Sequence, residues 1–272
     1  MNTIFKAFKS SPKFSIKWSN YFEIYENILK KFINKKITLV EIGVGNGGSL
    51  FMWKKFLGKK AKIIGIELNP EAKKLEKHGF NIFIGDQSDP EFWKNFYKKT
   101  GKIDILIDDG GHTNLQQITS VMESIPYIKN NGVMIIEDTH TSFMNYKGFK
   151  NPSKYSFINF SLHLIENIHQ RNPMVKKDMN FVSRKIHSIN YYDSIVVINF
   201  NNKNMKYSKN LKNNNKLKSF FVDFRFLRIK KIYNNYYLNL FEMLKAQISK
   251  KGILQKIYEE YIIRKYINKL KK

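Results

Sequence analysis

The chain contains no cysteine, which excludes disulfides and thiolate chemistry and leaves oxygen and imidazole as the side-chain ligands for any metal. Also absent is a run of roughly eighteen apolar residues, the length needed to span a bilayer. Met1 to Ile16 carries lysines without the continuous apolar core of a secretory signal, so no signal is expected. Acids are few: 22 Asp and Glu stand against 48 Lys and Arg, a formal net charge of +26. So basic a chain raises nucleic acid as a partner. However, Lys, Asn and Ile are abundant together, which a strongly AT-biased coding sequence produces without any demand for a basic surface. The excess is also uneven, since residues 201–272 carry 19 Lys or Arg against 4 acids.

What is present can fill a core. The 272 residues are 42% hydrophobic and 15% aromatic, enough for one generous domain with or without an appendage. Residues 1–36 read as a helical N-terminal segment, with Tyr21, Ile24, Tyr25, Ile28, Leu29 and Phe32 at helix spacing. Residues 37–200 alternate short apolar runs with amphipathic stretches. The runs Thr38–Ile42, Lys62–Glu67, Asn81–Ile84, Ile103–Asp108 and Gly132–Glu137 predict buried parallel strands. Ser49–Phe56, Glu71–His78, Glu91–Tyr97 and Leu115–Tyr127 predict the helices between them. Such alternation specifies an α/β fold, a doubly wound Rossmann-like sheet with helices on both faces. Lys185–Tyr191 and Ser194–Phe200 flank Tyr192-Asp193 as a closing hairpin. Residues 201–218 form a Lys/Asn-rich linker, and 219–272 a basic helical C-terminal extension in which Ile248–Leu270 is an amphipathic helix candidate.

In an open parallel sheet, ligands bind beyond the carboxyl ends of the strands, and the unusual polar residues fall there. The first strand runs into Glu41-Ile42-Gly43-Val44-Gly45-Asn46-Gly47-Gly48. Its glycines allow a tight turn close to a ligand, and the next helix offers free N–H groups. By itself the turn suits NAD as well as S-adenosylmethionine. Glu41, two residues before Gly43, favours S-adenosylmethionine, whose cationic methionine end attracts a carboxylate; Asn46 is counted with Gly43 and Gly45. Glu67, at the end of the second strand, is spaced to accept hydrogen bonds from both ribose hydroxyls. After the third strand, Asp86 and Gln87 are placed for the adenine, while Asp89 caps the helix starting near Pro90.

The fourth and fifth strands end in Asp108-Asp109-Gly110-Gly111-His112 and Glu137-Asp138-Thr139-His140. Four carboxylates and two imidazoles on adjacent strand ends repel unless a cation neutralises them or protons are taken up. Carboxylate oxygens with water suit Mg²⁺, or less selectively Mn²⁺ or Ca²⁺.

Together these motifs resemble a group of class I methyltransferases, the metal-dependent sugar O-methyltransferases, often grouped with cephalosporin hydroxylase-type proteins. The matching stretches are Lys17-Trp18 with Tyr21, LVEIGVGNGGSLFMW, GIELNP, IFIGDQSD, IDILIDDGGHTNLQQI, GVMIIEDTHTSF and IHSINYYDSIVV, within residues 17–200. The resemblance implies that Asp109, Glu137 and Asp138 bind Mg²⁺ and that His112 is the general base. It implies a cofactor pocket of Glu41, Gly43, Gly45, Glu67, Asp86 and Gln87, with Asp108 between cofactor and metal. His140 and Gln116 are left as candidate substrate contacts.

The expected partner is a sugar of a surface polysaccharide or a nucleotide-sugar precursor, and a homo-oligomer remains open. A nucleic-acid methyltransferase is the lesser reading, because enzymes acting on exocyclic base nitrogens show Asn/Asp-Pro-Pro-Tyr/Phe where this chain has Asp108-Asp109-Gly110-Gly111. A non-catalytic assembly or membrane-surface protein on the same fold is a further alternative. The expected location is cytoplasmic, with peripheral contact at the inner membrane face through the basic C-terminus left open.

Overall fold

In the computed structural model the apolar runs become the centre of a single sheet. The structure describes residues 3–146, 149–150, 155–172, 174–175 and 180–201, and residues 209, 211 and 213 singly. Strands β1 (Thr38–Ile42), β2 (Lys62–Glu67), β3 (Asn81–Ile84), β4 (Ile103–Asp108) and β5 (Ile128–Ile136) are parallel. The hairpin of β6 (Ile186–Tyr192) and β7 (Ile195–Phe200) adds β7 antiparallel to β5. The seven strands lie in the order β3-β2-β1-β4-β5-β7-β6. The chain therefore reverses direction across the sheet between β1 and β4, and a crevice opens above such a switch point.

Alternation along each strand divides the core between two faces. Leu39, Ile63, Ile105, Ile107, Val133 and Ile135 pack with Ile4, Tyr25 and Trp53 from helices α1 (Thr3–Lys9), α2 (Tyr21–Leu29) and α3 (Gly48–Leu57). Val40, Ile64, Leu106 and Met134 pack with Trp93, Phe96, Val121 and Phe157 from α4 (Pro90–Thr100), α5 (Asn114–Ser124) and α6 (Phe157–His169). The N-terminal segment thus belongs to the core: Ile4, Tyr25 and Leu29 are fully buried.

Several elements depart from the sequence expectation. The fifth strand starts at Ile128, ahead of the expected Gly132, although Asn130-Asn131-Gly132 resembles a turn. Asn131 does adopt positive φ, and the ladder to β4 shifts register between Ile103 and Ile105, so the strand absorbs the irregularity as a bulge. Pro70–His78 is a 3-10 helix, capped by the Asn69 side chain. Helix α6 was not expected; its one strong signal was Ser156, whose hydroxyl accepts from the Asn159 N–H. The chain divides into Met1–Asn210 and Leu211–Lys272. The expected linker 201–218, extension 219–272 and helix Ile248–Leu270 lie, except for residues 201, 209, 211 and 213, outside the described residues. Among the described residues no helix is long and apolar enough to cross a membrane.

Residues 10–20 are not helical but form a strap between α1 and α2 that runs across the start of α3. Ser11 Oγ donates to the Gly48 carbonyl at 2.8 Å. A Cβ on Gly48 would stand 2.5 Å from the backbone carbonyl oxygens of both Lys13 and Phe14. Gly48 is therefore needed for the strap to lie down. Gly48→Ala is expected to cost about 1–3 kcal/mol in urea unfolding, the usual range for overpacking, and to speed tryptic cleavage after the exposed Lys13; an unchanged midpoint and cleavage rate would contradict this contact.

Candidate active site

The glycine turn is shaped by contacts beneath it. Gly43 has φ +83°, and a Cβ there would lie 2.0 Å from the Asp109 carbonyl oxygen, so β1 and β4 can end side by side only with glycine at this position. The Gly43 N–H donates to the Ile66 carbonyl and the Gly47 N–H to the Val44 carbonyl, each at 2.9 Å. Over this turn lies a cleft of about 370 Å³, lined by Gly43, Gly45, Glu67, Asp86, Gln87 and Asp109 among others.

Glu67 is held at the cleft by backbone donors. One carboxylate oxygen accepts from the Gly45 N–H at 2.9 Å and the other from Leu68 and Asn69. A carboxylate oxygen takes two hydrogen bonds, so acceptor capacity remains for a ligand. Asp86 Oδ1 accepts from the Ser88 N–H and hydroxyl, both at 2.8 Å. Asp89 caps α4, as expected.

Four of the expected cofactor residues sit differently. Glu41 is fully buried and does not line the cleft; its carboxylate accepts from Ser49 Oγ at 2.7 Å and Trp53 Nε1 at 2.9 Å. Its place on the inward-facing side of β1 puts it under the turn. Burial pushes its pKa up to about 7, against the opposing pull of Lys17, Trp53 and Ser49. Gln87 reaches the cleft wall, but its amide is spent: Nε2 donates to Asp108 and Ser120, and Oε1 accepts from the Gly111 N–H. Asp108 is buried below that amide, off the cleft, and burial raises its pKa in spite of Gln87. Asn46 is exposed on the turn and is not part of the lining.

Beside the cleft the acids of β4 and β5 converge as expected, but with a partner that counting acids did not reveal. Lys17, from the strap, places Nζ 2.6 Å from Asp109 Oδ2, 2.8 and 3.0 Å from the two Glu137 oxygens, and 3.9 Å from Glu41. Its side chain is 1% exposed. Burial alone would lower the lysine pKa; Glu137, Asp109 and Glu41 outweigh it and hold the ammonium protonated above the ordinary lysine range. Burial and the nearby Asp109 charge raise the Glu137 pKa, with Lys17 opposing them. Glu137, expected among the metal ligands, therefore has both oxygens on Lys17.

The outer part of the cluster is open. Asp109 Oδ1 and Asp138 Oδ2 face His112 Nε2 at 3.8 and 3.4 Å, and one ligand atom from each of these residues lies within 4.8 Å of the others. The two carboxylates are about one-fifth exposed, at 23% and 20%. Both His112 and Asp138 adopt positive φ, +55° and +52°, a conformation that costs energy for non-glycine residues and clusters at functional sites. His112 is held by Thr141 Oγ1 donating to its carbonyl, while its Nδ1 is buried without a hydrogen-bond partner. Asp138 Oδ1 accepts from Tyr21 Oη at 2.6 Å and Trp18 Nε1 at 3.1 Å, and the Asp138 N–H donates to Tyr21 Oη. Burial and this bond to Asp138 raise the Tyr21 pKa, which keeps the phenol a donor.

Lys17, Trp18 and Tyr21 are the site residues that motif reading left without a role. Their only signal was their occurrence together, since nothing in the sequence ties residue 17 to residues 109 and 137. His140 packs edge-on against Trp18, and the Gln116 side chain is engaged with Thr113 in the cap of α5. Tyr21→Phe would leave the Asp138 N–H unpaired and Trp18 as the remaining donor to its Oδ1; a loss of about 1–3 kcal/mol is expected on chemical unfolding, and an unchanged stability would contradict the anchoring role.

No family model matches the chain. It is 29% identical over 165 residues to the 8-demethyl-8-alpha-L-rhamnosyl tetracenomycin-C 2'-O-methyltransferase of Streptomyces olivaceus, covering 57% of this chain and 43% of that protein. It is 29% identical over 201 residues to the mycinamicin VI 2''-O-methyltransferase of Micromonospora griseorubida, covering 69% and 49%. The chain thus spans about half the length of the curated relatives it matches. Among solved structures, MycE methyltransferase from the mycinamycin biosynthetic pathway, in complex with Mg, SAH and mycinamycin VI, superposes with a TM-score of 0.64 at 25% identity, over 78% of this chain and 56% of that one. The chain is a homologue of sugar and macrolide O-methyltransferases and has the class I S-adenosylmethionine-dependent methyltransferase fold.

Proposed function

We propose that the chain is an S-adenosylmethionine-dependent O-methyltransferase that methylates a sugar hydroxyl with the help of a divalent cation, Mg²⁺ in the first instance. The observation that carries this reading is the juxtaposition of the glycine-turn cleft with the cluster of Asp109, His112 and Asp138 at its side. The relatives support it: their names specify O-methyl transfer, and MycE was solved with SAH and Mg.

The residues suit both groups. Glu67 keeps acceptor capacity at the cleft, where it would meet ribose hydroxyls, and Gly45 presents open space there. S-adenosylmethionine supplies an electrophilic methyl group on a sulfonium. Asp109 Oδ1 and Asp138 Oδ2 are hard oxygen donors in a partly open position, the set Mg²⁺ prefers when it retains several waters. A divalent cation held by these residues would supply Lewis acidity, lowering the pKa of an acceptor hydroxyl. Glu137, each of whose oxygens accepts one hydrogen bond from Lys17, keeps a lone pair on each with which it would join that set.

This chain's residues would do the remainder. His112 Nε2 is positioned to take the hydroxyl proton, and Asp109 and Asp138 stabilise the imidazolium that results. Tyr21 and Trp18 hold Asp138, so it meets the reactants with its geometry already set. A nucleotide sugar or a polysaccharide sugar in the cytoplasm is the acceptor class we favour, without contact to nucleic acid.

Incubation with S-adenosylmethionine, Mg²⁺ and a panel of nucleotide sugars and glycans should yield a product one methyl group heavier by mass spectrometry, lost on chelation. His112→Ala should lower kcat by on the order of 10²–10⁴-fold while S-adenosylhomocysteine binding stays within about twofold; methyl transfer that survives both chelator and His112→Ala would refute the mechanism. Glu67→Ala should instead weaken cofactor binding by about tenfold or more in calorimetry, at the cost of a charged hydrogen-bond pair.

A further inference from the structure

Of the three tryptophans in the chain, Trp53 and Trp93 are fully buried, whereas Trp18 is 56% exposed. Leaving so large an apolar ring in water forgoes the stabilisation that burial would bring. The strap alternates here: Phe14, Ile16 and Trp18 are exposed, while Ser15 and Lys17 between them are partly buried. The Phe14 and Ile16 side chains have no hydrogen-bonding group; Trp18 has one, and it fixes the ring. Its Nε1–H donates to Asp138 Oδ1 at 3.1 Å, and His140 stands edge-on to it at 6.2 Å. The other oxygen of the same carboxylate faces His112 Nε2 at 3.4 Å. A single carboxylate therefore separates the edge of an open, oriented indole from the imidazole assigned as base.

We propose that Trp18 is the acceptor-binding platform of this site, with the indole face stacked on the C–H face of a pyranose whose hydroxyl lies at His112. The proposal rests on the sugar O-methyltransferase reading above. A pyranose carries hydroxyls around its edge and C–H bonds on its faces, so two kinds of contact hold it. Asp109, His112 and Asp138 address the edge. An aromatic ring addresses the face, with its negative π-cloud toward the C–H bonds. Aromatic surface beside a few placed polar groups is the usual make-up of a small-ligand site. The two contacts act on one ring because the indole N–H and the imidazole share Asp138. Such a subsite selects a cyclic sugar over an open-chain polyol bearing the same hydroxyls.

The test first reads binding without turnover. Because Trp53 and Trp93 are buried, acrylamide quenching of the full chain's tryptophan fluorescence reports Trp18, and Trp18→Phe should remove the quenchable component. With S-adenosylhomocysteine and Mg²⁺ present, methyl pyranosides of gluco, manno and galacto configuration are titrated, with sorbitol as the open-chain control. At least one pyranoside should shield Trp18 saturably, and sorbitol at the same concentration should not. No shielding by any pyranoside, or equal shielding by sorbitol, overturns the proposal. Kinetics on the acceptor found in the methylation screen then separate the ring from its N–H. Trp18→Phe and Trp18→Ala both lose the bond to Asp138 and should both lower kcat. Only Trp18→Ala should raise the acceptor KM, by about tenfold, with Trp18→Phe within about threefold of wild type and S-adenosylhomocysteine affinity unchanged in both. An acceptor KM that is the same in the two variants overturns the proposal. Methyl transfer without shielding refutes the platform and keeps the reaction, whereas shielding without methyl transfer keeps the platform and refutes the reaction.

Discussion

The fully buried contact of Lys17 with Glu137 and Asp109 is the constraint on which the site depends. β4 and β5 end side by side, and each end carries acids, so parallel pairing forces Asp109 and Glu137 together in a region closed to water. One uncompensated charge there would cost several kcal/mol, and removing one partner of such a pair typically costs about 3–5 kcal/mol. The strap supplies the missing charge from outside the sheet. This explains why residues 10–20 cross the mouth of the fold and why the following helix anchors Asp138.

The rest of the site follows from the same geometry. Gly43 lets β1 and β4 end close together, which places the cleft next to the acids. Buried hydrogen bonds are then allotted in layers: Glu41 to Ser49 and Trp53, Asp108 to Gln87, Glu137 to Lys17. These inner carboxylates form a fixed foundation. The carboxylates left partly exposed, Glu67 at the cleft and Asp109 with Asp138 beside it, are open to a ligand.

Much of this was legible in the sequence because it is local. Parallel strands announce themselves as short Val- and Ile-rich runs, and a glycine turn or an acidic strand end stands beside its strand. The starting residues of β1 to β4 follow directly from those runs. The division of labour among the acids was not legible, because it depends on depth. Glu41 and Glu67 are alike in sequence terms, each an acid on a strand next to a turn, yet one lies under the turn and the other on its rim. Lys17 was hidden for a related reason: its partners are 92 and 120 residues away, and a basic chain gives no hint which lysine is buried. The Asn-rich start of β5 misled because turn-forming residues can also sit in a bulge.

The account joins a methyl-donor cleft to a cation site built on the outer pair of carboxylates. Anomalous diffraction from crystals grown with S-adenosylhomocysteine and Mn²⁺ tests that union most directly. The account predicts the nucleoside in the cleft with its ribose on Glu67, and a manganese peak bound to Asp109 and Asp138 beside His112. Nucleoside density elsewhere, or no manganese at that pair, would contradict it.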